Sequence, residues 1–177
     1  MVWASGQVLI PENPGDDLSS KCGIDYRRLR DLLAAGEWKK ADQETSDKML
    51  AVIGKESWNI EKFPCTDLRT IDRLWVKYSN GRFGFSVQKR IFLRVGGQPS
   101  GVFDYHIYQK LADMLGWRKN GEWLSYQELT FSPKAPQGHL PAVGIRSSCC
   151  VYRDLDDREW WFGLLWWFFS RIETCEM

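Results

Sequence analysis

Between Phe63 and Ile91 the chain places Trp75, Val76, Tyr78, Phe83 and Phe85 around one tight Ser79-Asn80-Gly81 turn, with Arg69, Arg73, Lys77, Arg82, Lys89 and Arg90 distributed among them. Aromatic rings offer wide apolar contact area at low side-chain entropy cost, and guanidinium groups pair bidentately with carboxylates. Rings and cations interleaved this closely suit a flat, apolar, anionic ligand. The same rings recur at helical spacing, which is more often the signature of a packed core. Groove and core both stay open from this stretch alone.

Enzymatic chemistry has little to work with. There is no phosphate-cradling glycine loop, no G-x-S-x-G nucleophile turn and no H-E-x-x-H metal helix. Cys149-Cys150 lies beside Ser147-Ser148 with no histidine nearby, and Asp67, Asp72, Asp154, Asp156 and Asp157 read as helix caps and surface charges. The chain is therefore expected not to be an enzyme and to carry no catalytic residue. Its five cysteines, Cys22, Cys65, Cys149, Cys150 and Cys175, are odd in number and lack any C-x-x-C or Cys/His zinc spacing. They are expected to be reduced thiols in an intracellular compartment.

The rings and cations need elements to hold them. Thr66 can cap a helix whose second residue is Asp67, and Leu68, Ile71, Leu74, Trp75 and Tyr78 recur at three and four along one face. Ser79-Asn80-Gly81 stops this helix, since Asn and Gly tolerate the positive φ of a helix end. Phe83 and Phe85 then alternate in an extended link, and Ser86 is the expected cap of a second helix carrying Val87, Ile91 and Val95 to Gly96-Gly97. Upstream, Asp25 is expected to cap a helix through Leu29, Leu32 and Leu33 to Gly36. A partner helix through Trp38, Ala41, Thr45, Met49 and Val52 to Gly54 completes a helical hairpin. Downstream, Phe103, Ile107, Leu111 and Leu115 predict a helix closed by Gly116, Asn120-Gly121 a turn, and Ser125-Tyr126-Gln127-Glu128 a short capping box. After a loop at 132–144, Asp154-Leu155-Asp156-Asp157 heads a last helix with Trp161, Leu164, Leu165, Phe168 and Ile172 on one face. The expected fold is all-α, one helical domain over residues 24–177 behind an exposed, flexible leader at 1–23.

Composition bounds the rest. With 177 residues, 44% of them hydrophobic, the chain can bury one sizeable core. Its 24 basic and 23 acidic residues leave a formal charge of +1, which makes no bulk electrostatic case for nucleic acid. Met1 to Ile10 shows neither the basic flank and apolar core of a secretory signal nor an Arg/Ser-rich transit amphipath. The longest apolar run, Trp160 to Phe169, is about half the roughly 20 residues a helix needs to span a bilayer. That run leaves a peripheral membrane contact open.

Several longer motifs carry a resemblance. Phe63-Pro64-Cys65-Thr66-Asp67-Leu68, Ile71-Asp72-Arg73-Leu74-Trp75-Val76-Lys77-Tyr78-Ser79 and Gly81-Arg82-Phe83-Gly84-Phe85-Ser86-Val87-Gln88 closely resemble the core of the Genomes Uncoupled Four family. So do Gly36-Glu37-Trp38-Lys39-Lys40-Ala41-Asp42-Gln43-Glu44-Thr45, Gly116-Trp117 and Gly138-His139-Leu140-Pro141, in the same order. The likeness runs from about Asp25 to Pro141 and more loosely from Ser170-Arg171 to Cys175. It implies a non-enzymatic regulator with a cupped aromatic groove for protoporphyrin IX or Mg-protoporphyrin IX. Such a regulator stimulates magnesium chelatase, in chlorophyll synthesis, through the large porphyrin-binding subunit of that enzyme. The implied setting is the cytoplasm of a cyanobacterium or the plastid stroma, and the implied state is a monomer.

By the same resemblance, Val76 and Phe85 match porphyrin-contacting positions, with Tyr78 and Phe83 beside them, and Trp58 falls in a loop forming one lip of the groove. The opposite lip falls in residues 142–157, the least family-like part, where Arg146, Arg153, Trp160 and Trp161 are local candidates only. Arg171 matches a C-terminal arginine motif that can face the propionates; a solvated helix-end cation is the alternative. Histidine is the usual axial ligand of a haem. The family is not known for ligating its porphyrin metal, so no metal is expected on the protein itself. His139 is read as a loop-fixing hydrogen-bonder and His106 as a helix-surface residue. A second reading, motivated by the divergent segment after Pro141 and by the absence of a separate N-terminal helical bundle, is a bilin- or haem-binding sensor or a protein-interaction module on the same scaffold.

Overall fold

Pro64 and the apolar spacing behind it decide where the central helix begins. In the computed structural model, which describes residues 15–54, 62–99, 103–142 and 168–177, Pro64 is extended and stands at the N-cap of α3 (Cys65–Tyr78). The helix thus starts one residue before Thr66, whose expected capping role is not realised. Asp67 of the first turn is buried instead, accepting from the Tyr26 hydroxyl at 3.0 Å, the Lys21 amide at 2.9 Å and the Ser20 hydroxyl. Leu68, Ile71, Leu74 and Trp75 form the predicted apolar face and are all buried. The helix ends at the predicted turn, where Asn80 and Gly81 have positive φ.

The second central helix, α4 (Phe85–Arg94), begins one residue before its expected cap. Ser86 does not cap it. Its own amide is held at 2.9 Å by Asp72, a side chain of α3, so the acceptor that opens α4 comes from the neighbouring helix. Gly84 makes that approach feasible. At φ 127° it sits so close to α3 that a Cβ would lie 2.8 Å from both Asp72 Oδ1 and Val76 Cγ2.

Before these run α1 (Arg27–Ala34) and α2 (Trp38–Ile53), packed on one another as the hairpin expected, with α1 also against α3. Asp25 accepts the Arg27 amide at 2.9 Å, although the N-cap position itself is Tyr26. Trp38, Ala41, Thr45 and Met49 face inward on α2, joined by Asp42 and Glu44, whose burial the hydrophobic pattern does not announce. Asp42 is satisfied by the Tyr126 hydroxyl at 2.8 Å and the Ala142 amide at 2.6 Å. After α4, Asp104 caps α5 (Tyr105–Leu115) through the His106 and Ile107 amides, and Gly116 closes it in the left-handed conformation. Asn120-Gly121 turns a two-stranded antiparallel ribbon of β1 (Arg118–Lys119) and β2 (Glu122–Trp123). The predicted capping box at Ser125 and Glu128 then starts one 3-10 turn. The whole is a mostly helical single domain.

At its centre Trp75 donates to the Thr45 hydroxyl at 2.9 Å and meets Trp38 and Phe83, with ring centroids 6.1 and 6.3 Å away. Residues 168–174 form a C-terminal helix, α6, whose Phe168 stands edge-on to Phe85 at 4.8 Å and whose Phe169 stacks on Phe92 at 4.5 Å. The rest of the last predicted helix lies outside the described residues. Two of the five cysteines are not reduced thiols: Cys65 at the start of α3 is bonded to Cys175, 110 residues on. That pairing is created by α6 folding back on α3, so no local cysteine spacing could announce it. Arg69 adds two bonds to the Cys175 carbonyl, at 2.7 and 3.1 Å, and Lys89 reaches the Met177 carbonyl at 2.6 Å.

Residues 15–23, part of the stretch expected to be a leader, lie as a strap along α3. The Thr70 hydroxyl donates to the Ser19 carbonyl at 2.7 Å, and Asp67 holds Ser20 and Lys21. Among the described residues no helix is long and apolar enough to cross a membrane.

Candidate functional site

The α3–α4 turn gathers most of the described residues expected to line a groove, but not all on one surface. Phe83 and Phe85 are fully buried. Phe83 packs edge-on to Trp38 at 5.6 Å, and Phe85 faces Phe168. In this structure both rings support the turn from beneath. Val76 is half-buried and stands where Gly84 crosses α3. Tyr78 is half-buried too, and its hydroxyl donates to Asp16 at 2.6 Å. Arg171 donates from Nε to the Phe63 carbonyl at 2.7 Å, which ties α6 to the entry of α3. Trp58, Arg146, Arg153, Trp160 and Trp161 lie outside the described residues.

Beside Val76 opens a cleft of about 450 Å³. Its walls are α3, through Asp72, Arg73, Val76 and Lys77, the first turn of α4 at Ser86, and the strap at Gly15, Asp16 and Asp17. The volume is within the range of small-molecule pockets, and the lining combines Leu74 and Val76 with two cations and the three carboxyl groups of Asp16, Asp17 and Asp72. Both cations are engaged: Lys77 lies 2.5 Å from Asp16 and Arg73 lies 2.7 Å from Asp17. Burial alone would raise the Asp16 carboxyl, but the bonds from Lys77 and Tyr78 outweigh it and hold the group below the usual carboxylate range. Asp72, almost wholly enclosed, moves the other way, because burial outweighs the bonds from the α4 amides. Asp16 and Asp17 are the residues of this cleft that the sequence pattern does not assign to it. An acidic pair in a proline-rich stretch, 61 residues from Lys77, has no periodicity to link it to α3.

His139 fixes a loop as expected. Its Nδ1 lies 2.6 Å from the Leu115 carbonyl, its Nε2 accepts the Thr130 amide at 3.1 Å, and its own carbonyl accepts the Trp117 indole at 2.9 Å. An acceptor at Nε2 and a carbonyl at Nδ1 require the neutral ring with its proton on Nδ1. Burial lowers the imidazole below its ordinary value, against a smaller opposing pull from the Leu115 carbonyl. Stability contributed by a group so shifted is complete above that ordinary value and lost as pH falls through it. Unfolding free energy should therefore decline from roughly pH 7 to pH 5, a slope that His139→Gln, less stable throughout, should lack. Urea unfolding curves across that range check this, and an equal slope in the variant would contradict it. His106 is exposed on α5, and among the described residues no cluster of His, Cys, Asp and Glu is arranged to hold a metal ion.

A family model described as GUN4-like matches residues 19–156. The Ycf53-like protein of Synechocystis sp. (strain ATCC 27184 / PCC 6803 / Kazusa) is 36% identical over 149 residues, covering 77% of this chain and 60% of that protein. The tetrapyrrole-binding protein, chloroplastic, of Arabidopsis thaliana is 29% identical over 129 residues, covering 64% and 46%. The chain thus spans roughly half the length of these curated relatives. Among solved structures, GUN4 from Chlamydomonas reinhardtii superposes with a TM-score of 0.59 at 34% identity, covering 71% of this chain and 84% of that one. Ligand-free Arabidopsis thaliana GUN4 gives 0.56 at 26% identity, covering 67% and 84%.

Proposed function

The chain belongs to the GUN4-like family, and from that premise we propose that it is a non-enzymatic regulator that binds protoporphyrin IX and Mg-protoporphyrin IX. The observation that carries the proposal is this membership, together with likeness to a plant relative whose name is that of a tetrapyrrole-binding protein.

The described residues are compatible in chemistry with such a ligand. A porphyrin is a rigid apolar disc with carboxylate arms on one edge. Val76 offers an apolar contact at the cleft, and Arg73 and Lys77 bring positive charge to its wall. Phe83 and Phe85 are packed in the core, and the close crossing of Gly84 sits against Val76. The protein supplies burial and orientation, and metal insertion stays with magnesium chelatase. Its partner in this reading is the large porphyrin-binding subunit of that enzyme, in a cyanobacterial cytoplasm or plastid stroma. A reconstituted chelatase assay at limiting porphyrin tests it: added protein should raise the rate of magnesium insertion. An unchanged rate with a protein that binds the porphyrin would refute the stimulation and leave a tetrapyrrole sensor.

A further inference from the structure

Arg69, Arg73 and Lys77, spaced by four along α3, each face an acceptor within the chain: the Cys175 carbonyl, Asp17 and Asp16. Two of these acceptors stand on the strap, whose hold on α3 has two parts. Ser19 to Lys21 are anchored to the buried Thr70 and Asp67. Beyond that anchor, Asp16 is held by Lys77 and Tyr78, and Asp17 by Arg73, which also reaches the Asp17 carbonyl at 3.3 Å. The Arg73 and Lys77 side chains are 50% and 46% exposed. On the strap side Asp17 is 57% exposed, whereas Asp16 is 6% exposed and also accepts from Tyr78. The Arg73–Asp17 pair, open to water on both sides, is individually weak and exchanges first, and Asp16 follows when a second carboxylate reaches Lys77.

We propose that Asp16 and Asp17 are an internal stand-in for the paired carboxylates of an acidic ligand. They neutralise Lys77 and Arg73 while the cleft is free, and they give way when a dicarboxylate enters. The inference rests on the tetrapyrrole reading and adds to it a selection rule. Each ligand carboxylate that replaces a strap carboxylate recovers the pairing its cation loses, whereas an uncharged ligand that displaced the strap would leave both cations without a partner. The strap thereby sets the affinity threshold, and the two cations it releases favour ligands with two acidic arms.

The test compares the full chain with the double variant Asp16→Asn, Asp17→Asn, titrated with deuteroporphyrin IX and with its uncharged, water-soluble glycol diester. The variant should bind the dicarboxylate about tenfold more tightly and the diester more tightly by a similar factor, since neither ligand then breaks a strap ion pair. A gain confined to the dicarboxylate would mean simple loss of repulsion and would refute displacement. If the wild-type chain binds the dicarboxylate but the variant binds it no better, the stand-in is refuted while the tetrapyrrole reading survives. If the folded wild-type chain binds neither, both fall. A second measurement needs no variant: the carboxyl carbon resonances of Asp16 and Asp17 in labelled wild-type protein should move to solvent-exposed values on saturation with the dicarboxylate. Resonances that stay in place at saturation would overturn the proposal.

Discussion

Replacing Phe85 with alanine should cost the ligand-free protein about 3–5 kcal/mol of stability. The ring belongs to the first residue of α4 and is fully buried. It packs edge-on against Phe168 of α6, and the adjacent Phe169 stacks on Phe92 of α4. Truncation would open a cavity in the joint between α4 and α6, bounded by two aromatic contacts and by the Gly84 crossing, where the backbone has little room to collapse. Urea unfolding should show a lower midpoint with an unchanged slope. A loss below about 1 kcal/mol would mean that the ring is not seated in this joint. The folded fraction of the variant then reports on ligand binding separately, because its affinity can be measured well below the unfolding midpoint.

Cutting the cross-link between Cys65 and Cys175 should lower stability by about 2–4 kcal/mol. The bond closes a loop of 110 residues, so its removal releases conformational freedom in the unfolded chain while leaving the native contacts nearly intact. Arg69 and Lys89 still hold the last residues through the Cys175 and Met177 carbonyls, and Lys89 also pairs with Glu173 at 2.5 Å. The reduced protein should therefore fold, melt at a lower temperature and match Cys175→Ala, which is insensitive to reductant. Thermal unfolding with and without a dithiol checks this. Identical melting of the oxidised and reduced wild-type chains would contradict it.

The elements legible in the sequence were those whose signals are local. Leu68, Ile71, Leu74 and Trp75 repeat every three or four residues, Asn80-Gly81 and Gly116 provide positive-φ stops, and Ser125 with Glu128 caps a turn within four residues. Features that depend on distant partners were not legible. Asp72 opens α4 from α3, Asp67 is buried by the strap, and Cys65 finds Cys175 only because α6 returns to α3. The cap expected at Ser86 is replaced by Asp72 of α3, whereas α3 starts at Cys65 behind Pro64 with no side-chain cap at all. The aromatic stretch was visible as a constellation, but spacing could not divide it: Val76 lines the cleft and Tyr78 bonds Asp16 of its wall, while Phe83 and Phe85 are buried in the core. Asp16 and Asp17 could be read only as part of a leader, although their contacts define one wall of that cleft.

The central claim is that this helical scaffold binds a cyclic tetrapyrrole, and the most direct test is an equilibrium titration of the full chain followed by quenching of its ten tryptophans. Deuteroporphyrin IX, its magnesium complex and a linear bilin serve as ligands, with inner-filter absorbance corrected. Saturable one-to-one binding of both cyclic ligands, tighter than that of the bilin, is the predicted result. A preference for the bilin, or no saturable quenching by folded protein, would contradict it.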